Sequence, residues 1–178
     1  MGGDLTVSST EGAGTEFVFT LPLDAVARPA APRQDVQAAA SSVRPGWARG
    51  RRILVVDDNA TNRLVIERFM ADSGAEITFA TNGQEAVDTY KASPCPTILM
   101  DVSMPAMNGL RATEIIRGLE GKSGITPSRI IALTANAHQT DRDAATRAGM
   151  DAFLTKPLRK ADLVDALMSL FGAAPSPA

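Results

Sequence analysis

The sequence predicts an α/β protein: a doubly wound, five-stranded parallel sheet of order 2-1-3-4-5 with helices on both faces. Three observations lead there. Five short apolar runs, ILVV, EITFA, TILM, IIALT and AFLT, recur between residues 51 and 172. Amphipathic stretches with helical spacing separate them. Strands that alternate with helices build βαβ units, in which the strands run parallel and are covered on both sides.

The elements follow in order. ILVV runs into Asp57 and Asp58, and Asn59 is the expected N-cap of the first helix. That helix should carry its apolar face on Leu64, Val65, Phe69 and Met70, and an exposed member of the set could dock a histidine-bearing helix. TILM runs straight into Asp101, with a Met-Pro turn and Gly109 behind it. IIALT ends at Thr134, and AFLT leads to Lys156 and Pro157. The last helix places Leu163, Val164, Leu167, Leu170 and Phe171 on one face, with Gly172 at the capping position. Residues 173–178 are expected to be a disordered tail.

Two further segments precede the sheet. Residues 1–24 read as two β-like runs joined by a turn, with Phe17, Phe19 and Leu21 on one face and Val18 and Thr20 on the other. A lone two-stranded hairpin is marginally stable, so it wants a partner surface. Residues 25–50 are rich in Ala, Pro, Ser and Arg and read as a flexible linker. Arg28, Arg33, Arg44 and Arg49 against Asp35 make it basic, with Trp47 as its single aromatic anchor.

Composition narrows the function classes. The chain has 178 residues, 44% hydrophobic and 21% charged, the balance of a globular protein. A net charge of −2 offers no case for nucleic-acid or membrane binding. Its one cysteine, Cys95, allows no internal disulfide and reads as an inert loop thiol in a reducing compartment. No apolar stretch reaches the roughly 20 residues that span a bilayer. The opening MGGDLT lacks the regions of a signal peptide and fits the N-myristoylation pattern only literally.

The polar residues at the strand ends carry the chemistry. In an open α/β sheet, ligands bind outside the carboxyl ends of the strands where strand order reverses. Order 2-1-3-4-5 makes the first and third strands neighbours, so Asp57, Asp58 and Asp101 converge, with Thr134 and Lys156 lining the other side. Three carboxylates so close repel one another unless a cation joins them. Oxygen-only ligands select a hard ion, Mg²⁺ or Mn²⁺. Adding a lysine and a hydroxyl donor suits a transferring phosphoryl group, with Asp101 as the nucleophile.

The motifs VVDDN, MDVSMPAMNG, ALTAN and FLTKP, in this order, resemble the receiver domain of two-component response regulators. ALTANAHQTDRDAATRAGMDAFLTKPL is most similar to receivers of hybrid sensor histidine kinases. The resemblance covers residues 51–172, about two thirds of the chain, and implies a flavodoxin-like fold. It implies that Asp101 accepts a phosphoryl group and that Asp58 and Asp101 give carboxylates to Mg²⁺. Asp57 would hold a metal-bound water, the Ser103 carbonyl would complete the protein ligands, and Thr134 and Lys156 would contact the phosphoryl group. It also implies a cis Lys156–Pro157 peptide and an aromatic switch at Phe153, with Ser103 and Asn136 at positions that tune phosphoryl lifetime.

Residues 1–24 resemble the final hairpin of the ATP-binding domain of sensor histidine kinases. The order hairpin, linker, receiver is that of hybrid kinases. The remaining kinase motifs and the phospho-accepting histidine helix are absent here, so the chain itself should neither bind ATP nor phosphorylate a histidine. The implied partners are the parent kinase's histidine-bearing dimerisation domain and a histidine phosphotransfer protein, in the cytoplasm, whether or not the parent kinase is anchored in a membrane. His138 reads as a surface residue without a phosphotransfer role.

Three other readings fit these residues less well. A hydrolase of the haloacid dehalogenase type would need an acid where Ser103 stands. A flavodoxin-like cofactor binder would need a hydroxyl- and glycine-rich loop where Asp57 and Asp58 would repel its phosphate. A phosphorylation-independent scaffold would not need all five site residues.

Overall fold

Five strands pair in the order β4-β3-β5-β6-β7, all parallel: β3 (Arg52–Val56), β4 (Glu76–Ala80), β5 (Thr97–Asp101), β6 (Arg129–Thr134) and β7 (Ala152–Thr155). The computed structural model describes residues 3–10, 12, 14–20, 45–135 and 139–172. Counted from β3, the order is the expected 2-1-3-4-5. Helices α1 (Ala60–Met70), α2 (Gly83–Ala92), α3 (Gly109–Ser123), α4 (Gln139–Ala148) and α5 (Lys160–Gly172) connect and flank the strands. The expectations for residues 21–44, Asn136, His138 and the tail 173–178 lie outside the described residues.

Strand periodicity builds a separate core on each face of the sheet. Leu54, Val56, Ile98, Met100, Ile130 and Ala132 point to one side, where α2, α3 and α4 bury Tyr90, Ile116 and Ala145 against them. Ile53, Val55, Leu99, Ile131 and Leu133 point to the other, where α1 and α5 bury Ile66, Met70, Leu163 and Leu167. β5 is buried along its whole length, including Asp101.

The structure corrects the apolar face of α1. Ile66 and Met70 are its buried residues, whereas Leu64 is 50% exposed and Val65 and Phe69 are half-buried. Two residues apart lie about 200° round a helix, so burying Ile66 turns Leu64 outward. Asn59 is the N-cap, its side chain accepting from the N–H groups of Thr61 and Asn62. The face expected for α5 is present, with Leu163, Val164 and Leu167 buried and Leu170 and Phe171 half-buried.

The upstream edge of the domain also differs from the expected boundary at residue 51. Residues 45–50 form turns bonded to the loop after α1: Gly46 N–H donates to Asp72 O (2.8 Å) and Ala48 N–H to Ser73 O (2.9 Å). Ala48 is buried, and Trp47 lies 6.0 Å from the Phe171 ring, over which Arg51 stacks at 4.9 Å. Gly74 makes the approach possible: its φ of +72° is left-handed, and a side chain there would press on the Gly46 backbone. A sequence rich in Pro and Gly reads as linker until an aromatic on a distant helix gives it something to cover. Trp47→Ala should therefore lower stability by about 1–2 kcal/mol in urea unfolding; an unchanged midpoint would show the contact to be idle.

The hairpin forms a unit of its own. β1 (Asp4–Thr10) and β2 (Gly14–Thr20) pair antiparallel with Leu5 opposite Phe19 and Val7 opposite Phe17. These four side chains share one face and are all more than 60% exposed.

Candidate functional site

The acids are delivered by the ends of adjacent strands. β3 and β5 run in parallel register with Val56 beside Met100, so Asp57 and Asp101 emerge together at the carboxyl edge of the sheet. Asp58 follows in the turn into α1. Carboxylate oxygens of Asp57, Asp58 and Asp101 lie within 4.8 Å of one another, the first and last residues buried and Asp58 exposed. β6 ends beside them at Thr134, and β7 leads into Lys156, whose N–H donates to Thr134 O at 2.7 Å. The Lys156–Pro157 peptide is cis.

One ammonium bridges the two buried acids. Lys156 Nζ donates to Asp57 Oδ2 at 2.8 Å and to Asp101 Oδ2 at 2.6 Å. Asp101 Oδ1 accepts from the Ser103 N–H at 3.1 Å, and Asp57 Oδ1 from the Asn59 N–H at 2.9 Å. Burial pushes the Asp101 carboxyl above its ordinary range, aided by the Asp57 charge, even though Lys156 and Ser103 favour the carboxylate. Burial likewise opposes the Lys156 charge, but its bonds to Asp101 and Asp57 outweigh this and hold it above the usual lysine value. A single ammonium thus serves two buried carboxylates. Asp58 adds a third negative charge, so a divalent ion fits the remaining deficit, and an all-oxygen donor set suits a hard one.

The loop bearing Asp101 is held from behind. Gly109 N–H donates to Val102 O at 3.1 Å, and a side chain at Gly109 would run into the Asp101 carbonyl. Only a residue without Cβ lets α3 start this close to the strand end. Ser103 is exposed, with its N–H on Asp101. Phe153 does not join the acids; it is half-buried against the core shared with α2, α3 and α4.

Two contributors escaped the sequence. Asn62 Nδ2 lies 3.1 Å from both Asp57 oxygens, and Arg63 donates to the Asp57 and Asp58 carbonyls at 2.7 and 3.1 Å. The available signal was a polar pair in the first turn of an amphipathic helix. On spacing alone it reads as a solvated first turn.

The sequence pattern described as "Response regulator receiver domain" matches residues 53–168. The chain is 35% identical over 158 residues to the sensor histidine kinase GacS of Pseudomonas protegens, covering 83% of this chain and 17% of that protein. It is 32% identical over 167 residues to the autoinducer 2 sensor kinase/phosphatase LuxQ of Vibrio cholerae, covering 94% and 19%. The chain thus spans under a fifth of the length of these two relatives. Among solved structures, it is similar to the receiver domain of a sensor histidine kinase from Pseudomonas aeruginosa with magnesium coordinated in its active-site cleft. The TM-score is 0.63 and the identity 38%, over 70% of this chain and 99% of that one. It is also similar to a chain in the co-crystal structure of the Saccharomyces cerevisiae histidine phosphotransfer protein Ypd1 with the receiver domain of Ssk1. There the TM-score is 0.64 and the identity 31%, over 67% of this chain and 87% of that one.

Proposed function

The chain belongs to the response regulator receiver domain family, and from that premise we propose that Asp101 is its phosphoacceptor in a hybrid-kinase phosphorelay. The observation that carries the reading is one lysine bridging two buried carboxylates at adjacent strand ends, with a third acid beside them. An Asp101 oxygen attacks phosphorus in line, the phosphorus–nitrogen bond of a phosphohistidine breaks, and its electron pair stays on the imidazole. Lys156 then turns from Asp101 to a phosphoryl oxygen, and the Thr134 hydroxyl donates to another. Mg²⁺, with Mn²⁺ as a substitute, would be held by the Asp58 and Asp101 carboxylates and the Ser103 carbonyl, with Asp57 binding through water. The ion supplies charge neutralisation of the phosphoryl oxygens. As Thr134 moves, Phe153 swings inward and passes the change to the face of β6, β7 and α5.

The donor is the histidine of a kinase dimerisation domain, and a histidine phosphotransfer protein is the partner on the other side of the relay. Leu64, exposed on α1 next to the acid turn, supports docking of a histidine-bearing helix there. The hairpin of residues 1–24 is the end of a kinase ATP-binding domain; its exposed Leu5, Val7, Phe17 and Phe19 face supports this, as does similarity to kinases reaching beyond residues 53–168. No helix among the described residues is long and apolar enough to cross a membrane.

Mg²⁺ with beryllofluoride, followed by amide NMR, tests the assignment. Shifts should appear at Asp58, Asp101, Thr134 and Lys156 and extend to Phe153, and Asp101→Asn should abolish the beryllofluoride response. A mutant that responds like the native protein would remove Asp101 from the role. Shifts that stop at the site would remove the switch.

A further inference from the structure

The acid pair has a support that phosphoryl transfer does not itself call for. Asp57 is fully buried, yet only one of its partners is charged. Lys156 Nζ reaches Oδ2 at 2.8 Å, the Asn59 N–H reaches Oδ1 at 2.9 Å, and Asn62 Nδ2 sits 3.1 Å from both oxygens. The contacts from Lys156 and Asn59, each to one oxygen, set the rotation of the carboxylate about its Cβ–Cγ bond, whereas the amide shared by both oxygens holds the whole group in place against the pull of Lys156 on Oδ2.

The local structure explains how residue 62 gets there. Side chains of a helix lean toward its N-terminus, so a residue in the first turn of α1 can reach back to the strand end. An asparagine there would ordinarily be drawn to free backbone N–H groups. Here Asn59 already accepts from Thr61 and Asn62 N–H, which leaves the Asn62 amide to Asp57. Arg63 donates to the Asp57 and Asp58 carbonyls, on either side of Asp58, and fixes the turn itself.

We propose that Asn62 is a positioning residue for the cation site, holding the Asp57 carboxylate in its orientation toward Asp58 and Asp101 through a neutral amide that does not touch the cation. Neutrality matters. A cationic side chain at this place would cancel the field that attracts a divalent ion, and a carboxylate would repel Asp57. Without the amide, the Asp57 carboxylate turns onto Lys156, and the tighter ion pair competes with the cation. The inference rests on the cation reading above.

Isothermal titration of Mg²⁺ into the native protein, Asn62→Ala and Asn62→Leu tests it, with metal-free thermal unfolding of each alongside. Alanine is the better helix former, so a loss of affinity there does not come from a weakened α1, and leucine keeps the branched skeleton without the hydrogen-bonding groups. Both variants should remain folded at the titration temperature and bind Mg²⁺ about tenfold more weakly, the usual size of effect for a group that orients a metal ligand. Affinities within about twofold of native, with only the melting temperature lowered, would make Asn62 a purely structural residue and overturn the proposal. Tighter binding would overturn it too, because the amide would then be competing with the ion. If the native protein takes up no Mg²⁺, the cation reading itself falls and the inference falls with it.

Discussion

Lys156→Met should lower the stability of the cation-free protein by about 3–5 kcal/mol, the usual cost of leaving buried charge without its partner. Lys156 Nζ is the ammonium that both Asp57 Oδ2 and Asp101 Oδ2 accept from, and their side chains are 0% and 5% exposed. Methionine fills the same space but leaves two carboxylates facing each other with only N–H donors and an amide between them. Urea unfolding with and without Mg²⁺ reads the effect. The ion replaces the missing positive charge, so it should restore more stability to the variant than it adds to the native protein. Asp101→Asn is the converse change. It leaves one buried charge for one ammonium and should hold or raise stability while removing the phosphoacceptor, a common trade at functional sites. A loss below about 1 kcal/mol in Lys156→Met would mean that water already solvates the pair.

Glu120→Ala should cost a similar amount, about 3–5 kcal/mol, from the opposite edge of the sheet and without Mg²⁺ dependence. Glu120 is 3% exposed and accepts from Tyr90 Oη (2.9 Å), Ser128 N–H (2.8 Å) and Arg117 Nη1 (2.6 Å). Arg117 in turn donates to the Gly149 and Ser128 carbonyls and to Asp151, tying α3 to the starts of β6 and β7. Alanine orphans three donors at once.

The pH dependence of this network follows from two opposite shifts. Burial opposes the Glu120 charge, but the Ser128, Arg117 and Tyr90 bonds outweigh it and hold the carboxyl below its ordinary value of 4.5. A depressed carboxyl contributes stability that is complete above its unfolded value and is lost as pH falls through the folded one. Burial, with the neighbouring Glu120 charge, pushes the Tyr90 hydroxyl from 10.0 up to about 12, against the Ser128 hydrogen bond. The folded state therefore favours neutral Tyr90, and stability should fall as pH rises from 10.0 to about 12. Unfolding midpoints across pH should show both limbs. Glu120→Ala should flatten the acid limb and keep the basic one, because the tyrosine stays buried. An unaltered acid limb would assign it to other carboxyls.

What the sequence determined by itself is the type and order of the elements and the meeting of three acids at one end of the sheet. Apolar runs of four or five residues, broken by helical periodicity, leave little choice but a parallel sheet, and order 2-1-3-4-5 then brings Asp57, Asp58 and Asp101 to one edge. These features are local in sequence or follow from topology, so a linear reading reaches them. What only the tertiary structure decided depends on partners far apart in the chain. The inward face of α1 is set by the strands beneath it, which chose Ile66 and Met70 over Leu64 and Val65. Residues 45–50 fold onto the domain because Phe171 arrives more than a hundred residues later to meet Trp47. The Tyr90–Glu120 bond spans 30 residues, and the Asn62 amide finds Asp57 only once β3 and α1 are locked at one angle. Hydrogen bonds between side chains have no periodicity to announce them; they exist only after packing has fixed the distances.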